Sequence, residues 1–171
     1  MKQPKRVKTG VICLIDGAYL LSGSKSNIDM LELRCVLQKW SISEYGHFDR
    51  TIYFNSMKMG DEKQEKFHSW LQSKGFEVKL FGLKEMDVKC PCCDKSFKRQ
   101  VQKGVDVAIA TYILELADQY KRLVLVAGDG DLIHAVRVVQ NKFKEVYVSG
   151  FHGSMSGEFR VAADKLKILN M

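Results

Sequence analysis

With 171 residues, 46% of them hydrophobic, and a formal charge of +7 at a pI of about 9.1, the chain can bury one sizeable core and attract a polyanion. Only two prolines occur, Pro4 and Pro91, and no Gly/Ser linker, low-complexity run or internal repeat divides the chain, so a single domain over 1–171 is expected. Five cysteines, three of them crowded at Cys90, Cys92 and Cys93, argue against a secreted disulfide framework, and no apolar run is long enough for a signal-peptide core or membrane span, so a cytoplasmic protein with no membrane partner is expected.

In chain order, VICLI at 11–15 is a short, β-branched apolar run that predicts a buried strand. Helical spacing follows from Ile28 to Ser43, with Met30, Leu31, Leu33, Val36, Leu37 and Trp40 forming a core-facing stripe. RTIYF at 50–54 predicts a second strand, Asp61 to Ser73 a helix with Phe67, Trp70 and Leu71 turned inward, and EVKLF at 77–81 a third strand. Residues 83–104 then break the pattern: they carry few core-type residues, a cysteine cluster and the cations Lys84, Lys89, Lys95, Lys98, Arg99 and Lys103. A connection of that length inside a compact domain is usually functional, and it is read as a basic, substrate-facing insertion. Beyond it come a helix from Val105 to Tyr120, a strand LVLVA at 123–127, a helix from Leu132 to Phe143, a strand EVYVS at 145–149, a helix near Gly157 to Ala163 and a short strand at Lys165 to Leu169. Strand and helix alternate throughout, which predicts an α/β fold: a Rossmann-like three-layer α/β/α arrangement around a mainly parallel sheet.

Ligands of such sheets bind beyond the carboxyl ends of the strands, where the strand order reverses. Asp16 follows directly on VICLI, Asp129 and Asp131 follow LVLVAG, and Asp106 opens the helix after Lys103-Gly104. Each has an ordinary role available as a helix cap or a first-turn charge. Gathered at one edge, however, four carboxylates would not all stay ionised without compensation, and Mg²⁺ or Mn²⁺, which prefer carboxylate oxygen and water, supply it. The expected chemistry is metal-assisted hydrolysis.

IDGAYL at 15–20, KGVDVAIATYIL at 103–114 and VAGDGDLIHAVRVV at 126–139 resemble the NYN domain, the LabA-like branch of the PIN-like nuclease superfamily, in the right order and spacing over nearly the whole chain. The resemblance implies a PIN-like sheet with an acidic pocket and a metal-dependent ribonuclease activity in which Asp16, Asp106, Asp129 and Asp131 hold Mg²⁺ or Mn²⁺. Such ions would polarise the phosphate, lower the pKa of a bound water and steady the leaving oxygen. The chain departs from the family pattern at Tyr19, where an asparagine is common, at Tyr112, where an aspartate is common, and at Ala127, where a serine or threonine is common. Those departures suit a second expectation, a catalytically weak RNA-binding or regulatory module of the same fold. A haloacid-dehalogenase-type phosphohydrolase fits less well, because Asp16-Gly17-Ala18 lacks its second carboxylate.

RNA is the expected partner, with DNA as an alternative polyanion; Lys98, Arg99 and Lys103 would follow the backbone and Phe97 would stack on a base or pack beneath the loop. His134 is a candidate proton donor or phosphate contact or a plain helix residue, and Ser154, near the pocket in family proteins, a candidate RNA contact or, like Ser156, a helix cap. Cys90 and Cys93 have the CxxC spacing of half a zinc ribbon. The other half is missing from the sequence, so zinc there requires a homodimer or a histidine such as His68; a small reduced turn is the alternative.

Overall fold

The computed structural model describes residues 9–24, 27–42, 46–58, 60–93, 95–101 and 104–170. Strands β1 (Val11–Asp16), β2 (Arg50–Met57), β3 (Glu77–Gly82), β6 (Arg122–Val126), β7 (Glu145–Phe151) and β8 (Lys165–Leu169) form one six-stranded sheet in the order β3-β2-β1-β6-β7-β8. Every neighbouring pair in it is parallel. Strands β4 (Lys84–Lys89) and β5 (Ser96–Val101) form a separate antiparallel ribbon.

A strand covered on both faces has no solvent side, which is why the central strands read as unbroken apolar runs rather than as alternation. Ile12 and Leu14 of β1 pack with α4 (Val105–Glu115), α5 (Ile133–Gln140) and α6 (Gly157–Ala162), while Val11, Cys13 and Ile15 pack with α1 (Gly17–Gly23), α2 (Met30–Ser41) and α3 (Glu62–Ser73). Fully burying one such Ile or Leu side chain contributes about 1.5–3 kcal/mol before entropy is counted. On α2 the inward stripe is Met30, Leu33 and Leu37, with Leu31 and Trp40 partly buried beside them. Among the described residues no helix is long and apolar enough to cross a membrane.

The stretch from Val105 to Tyr120 is a helix to Glu115 and then a 3-10 turn at Ala117–Gln119. Residues 83–104 are more ordered than their composition suggests, since most of them form the β4–β5 ribbon. At the amino ends of the strands, Arg50 forms a bidentate pair with Glu77, with its Nε 2.6 Å from Oε1, and Arg122 pairs with Glu145. Those two arginines of that edge are thus matched by carboxylates.

Candidate active site

The strand order reverses between β1 and β6, and Ile15 is in register with Val126 there. Asp16 therefore stands level with Ala127, one turn of chain from Asp129. Asp16 ends β1 in extended conformation and caps α1, its Oδ1 accepting from the Tyr19 N–H at 3.1 Å. Asp129 likewise caps the 3-10 turn Gly130–Leu132, accepting from the Asp131 N–H at 2.9 Å. The cap and the acidic cluster are thus one arrangement: capping fixes each carboxylate at the carboxyl edge. Asp106 lies in the first turn of α4, which begins at Gly104 in the left-handed region (φ 87°) with no side-chain cap.

Asp16 is only 6% exposed. Burial raises its carboxyl above the ordinary range, and the negative charges of Asp106 and Asp129 raise it further, while the hydrogen bond from Tyr19 pulls the other way. Burial also raises Asp106, followed by repulsion from Asp129 and Asp131. The four aspartates therefore feel one another. Among the described residues none of them is in a salt bridge, in contrast to the amino edge.

Reading the sequence missed the end of β2, which runs three residues past Phe54. Phe54 is in register with Asp16, so Asn55 and Ser56, both buried, continue the carboxyl edge beside it. The Asn55 Nδ2 donates to the Tyr53 hydroxyl at 3.4 Å, and the Ser56 Oγ is buried without a partner. Burial, then the Asp16 charge, holds the Tyr53 phenol in its protonated form. The signal was present as two polar residues placed directly after an apolar strand.

Residues 10–170 match the NYN domain family. This chain belongs to the NYN family. Membership carries a nuclease- or RNA-related role. Along 157 residues the NYN chain is 25% identical to the low amplitude and bright protein LabA of Synechococcus elongatus, an alignment covering 91% of this chain and 81% of LabA. It is 41% identical over 68 residues to an uncharacterized protein of Sinorhizobium fredii, covering 37% of this chain and 32% of the other. The crystal structure of a protein of unknown function from Vibrio parahaemolyticus superposes with a TM-score of 0.69 at 22% identity, over 99% of this chain and 97% of that one, a likeness of fold.

At Tyr19, Tyr112 and Ala127 the structure gives each residue of this NYN domain a packing role. Tyr19 spans the sheet edge: its hydroxyl accepts from the Phe151 N–H at 2.9 Å and lies 2.9 Å from the Ser154 Oγ. Its ring fills the space that a Cβ on Gly128 would occupy, within 2.2 Å, and its hydroxyl the space of one on Gly150, within 2.3 Å. Tyr112 meets Phe54 edge-on at 5.2 Å, with the Lys79 ammonium 5.6 Å from its ring. Ala127 is fully buried in the core.

The remaining expected contacts are spread around this edge. Ser154 is held by Tyr19 and by its own bond to the Phe151 carbonyl at 3.3 Å, while Ser156 caps α6 by accepting from Phe159. His134 is exposed and lines a shallow depression with Asp131, Arg137, Ser156 and Glu158. On the ribbon, Lys98 is exposed and pairs with Glu85 at 3.3 Å, and Phe97 is 52% exposed. Arg99 is opposite Met86 in the ladder, with its side chain outside the described part, and Lys103 lies outside the described residues.

The donor set suits a hard divalent ion, which is commonly held by one or two carboxylates and several waters. No group of three or more His, Cys, Asp and Glu side chains among the described residues is placed to hold one ion directly. A Mg²⁺ or Mn²⁺ ion here would thus keep much of its own water.

Proposed function

We propose that this NYN domain is a metal-dependent ribonuclease that hydrolyses RNA phosphodiester bonds at the carboxyl edge between β1 and β6. The reading rests on one observation: Asp16, Asp106, Asp129 and Asp131 share that edge without cationic partners among the described residues, and two of them are pushed toward protonation. A cluster of that kind costs stability unless positive charge joins it. Mg²⁺ or Mn²⁺, which these aspartates would hold together with the ion's own waters, would supply that charge and, when bound, would polarise the phosphate and lower the pKa of a bound water.

The chain's own residues orient the rest. Asp16 and Asp129 are locked by their caps, so their carboxylates need little rearrangement when the phosphate arrives. Asn55 and the protonated Tyr53 phenol supply neutral polar groups beside Asp16 that do not add to its negative field. Lys98, Arg99 and Lys103 of the basic segment would track the RNA backbone, with Phe97 offering a ring for a base.

A second reading, an RNA-binding module without turnover, is favoured by Tyr19, whose ring fills the gap over Gly128, and by the lack of a ready three-ligand group. Labelled single-stranded RNA incubated with Mn²⁺ or Mg²⁺ separates the two. Cleavage should fall at least about a hundredfold in Asp129→Asn, equivalent to about 2.7 kcal/mol of lost transition-state stabilisation, and should vanish with EDTA. Binding without cleavage in either metal would select the second reading.

A further inference from the structure

The three cysteines at the ribbon tip take no part in hydrolysis, and the ribbon that carries them is incomplete by itself. Among the described residues β4 and β5 pair only with each other, and an isolated two-stranded hairpin is marginal in water. Period-two alternation puts its larger apolar residues on one face, together with the Lys84 and Arg99 positions. Met86 and Val88 lie on it from β4 and Phe97 stands directly opposite Val88, with Met86 41% and Phe97 52% exposed. Glu85, Asp87, Lys89 and Lys98 occupy the other face.

At the tip, the Cys90 N–H donates to the Lys95 carbonyl at 2.9 Å and closes the turn. The one turn carries Cys90, half-buried, together with Cys92 and Cys93, both exposed. Cys90 and Cys93 then offer two thiolates in CxxC spacing, whereas a closed structural zinc site takes four nitrogen or sulfur ligands in a tetrahedron.

The rest of the described chain does not complete that set. No group of three or more ligating side chains occurs among the described residues. His68 is buried on α3 against Tyr53 and Phe67, Cys13 is buried in β1, and Cys35 belongs to α2. A second copy related by two-fold symmetry supplies an identical pair of thiolates, because an isologous contact repeats each ligand.

We propose that the Cys90–Cys93 turn is half of a structural Zn²⁺ site, completed by the same turn of a second copy of this chain. Each chain gives up two thiol protons to solvent on binding. The resulting tetrathiolate centre carries a net negative charge, which the exposed Lys89 and Lys95 of both copies offset. The strands behind the joined tips stay open to RNA.

The test uses the full chain with Zn²⁺ and a phosphine reductant, read by native mass spectrometry and light scattering. A dimer with one zinc per two chains is expected. Cys90→Ser and Cys93→Ser should each lose both the zinc and the dimer, Cys92→Ser should retain both, and chelation of the unmodified protein should give monomers. Co²⁺ in place of Zn²⁺ should give the tetrahedral tetrathiolate absorption. One zinc per single chain, a dimer that survives the loss of Cys90 and Cys93, or the absence of stoichiometric zinc from the unmodified protein would each overturn the proposal.

Discussion

Asp16 serves as helix cap and as the most buried member of the acidic edge, and an asparagine separates these roles. Asn caps a helix about as well as Asp, so Asp16→Asn keeps the bond from Tyr19 and removes only the charge. Because the folded carboxyl is raised above its unfolded value, the folded state binds the proton more tightly. The stability this contributes is fully present below the unfolded carboxylate pKa and is lost as pH rises through the raised one. Without metal at pH 7.5, Asp16→Asn should therefore melt higher than the unmodified protein. The gap should shrink as pH falls toward the ordinary carboxylate range, and again when Mn²⁺ is added. Thermal melts across pH with and without Mn²⁺ check this; a variant that melts lower at every pH would mean that burial charges little against the Asp16 anion.

Between elements, Tyr19 ties α1 to the loop after β7 and covers Gly128 at the end of β6. A methyl group at Gly128 would meet the Tyr19 ring at 2.2 Å and the Ser154 carbonyl at 2.7 Å, so Gly128→Ala should destabilise by about 1–3 kcal/mol, the usual cost of overpacking. Removing the ring as well, in Tyr19→Ala with Gly128→Ala, should recover only part of that loss, because the backbone carbonyl remains. Denaturant midpoints of both variants and of Tyr19→Ala alone decide it, and complete recovery would show that the loop moves freely. The same contacts mark what the sequence makes legible. Asp16, Asp106 and Asp129 could be placed at one edge because strand ends and parallel order are local facts, readable from apolar runs and turns. That Gly128 is small for the sake of Tyr19 depends on residues more than a hundred positions apart. α1, at seven residues, is too short to express a helical period, and the strands of the β4–β5 ribbon are hard to see in the sequence although KEMDVK alternates, because its apolar residues are too few to resemble a core strand.

Across the whole molecule, charge is sorted by edge. The amino edge joins Arg50 to Glu77 and Arg122 to Glu145 and also carries Lys121 and Lys144, the carboxyl edge has its aspartates in no salt bridge among the described residues, and the ribbon contributes Lys89, Lys95 and Lys98 to the net charge of +7. Lys98 meets Glu85 at 3.3 Å, but both side chains are well exposed, at 72% and 56%, and such a surface pair is worth little, so a phosphate can take the lysine at small cost. If the charged face of the ribbon lies along RNA, binding weakens with salt as condensed counterions are displaced, with log K falling by about 0.7 per log unit of salt for each phosphate neutralised on a single strand. Lys98→Ala should make the slope shallower by about that amount, measured by titration in EDTA so that cleavage does not intervene. It should leave the Mn²⁺-dependent cleavage rate at saturating RNA near that of the unmodified protein, since the lysine binds the backbone and touches no reacting atom. An unchanged slope would take RNA off the ribbon, and the cations that hold it would then have to be sought around the acidic edge, where Arg137 shares a depression with Asp131 and His134.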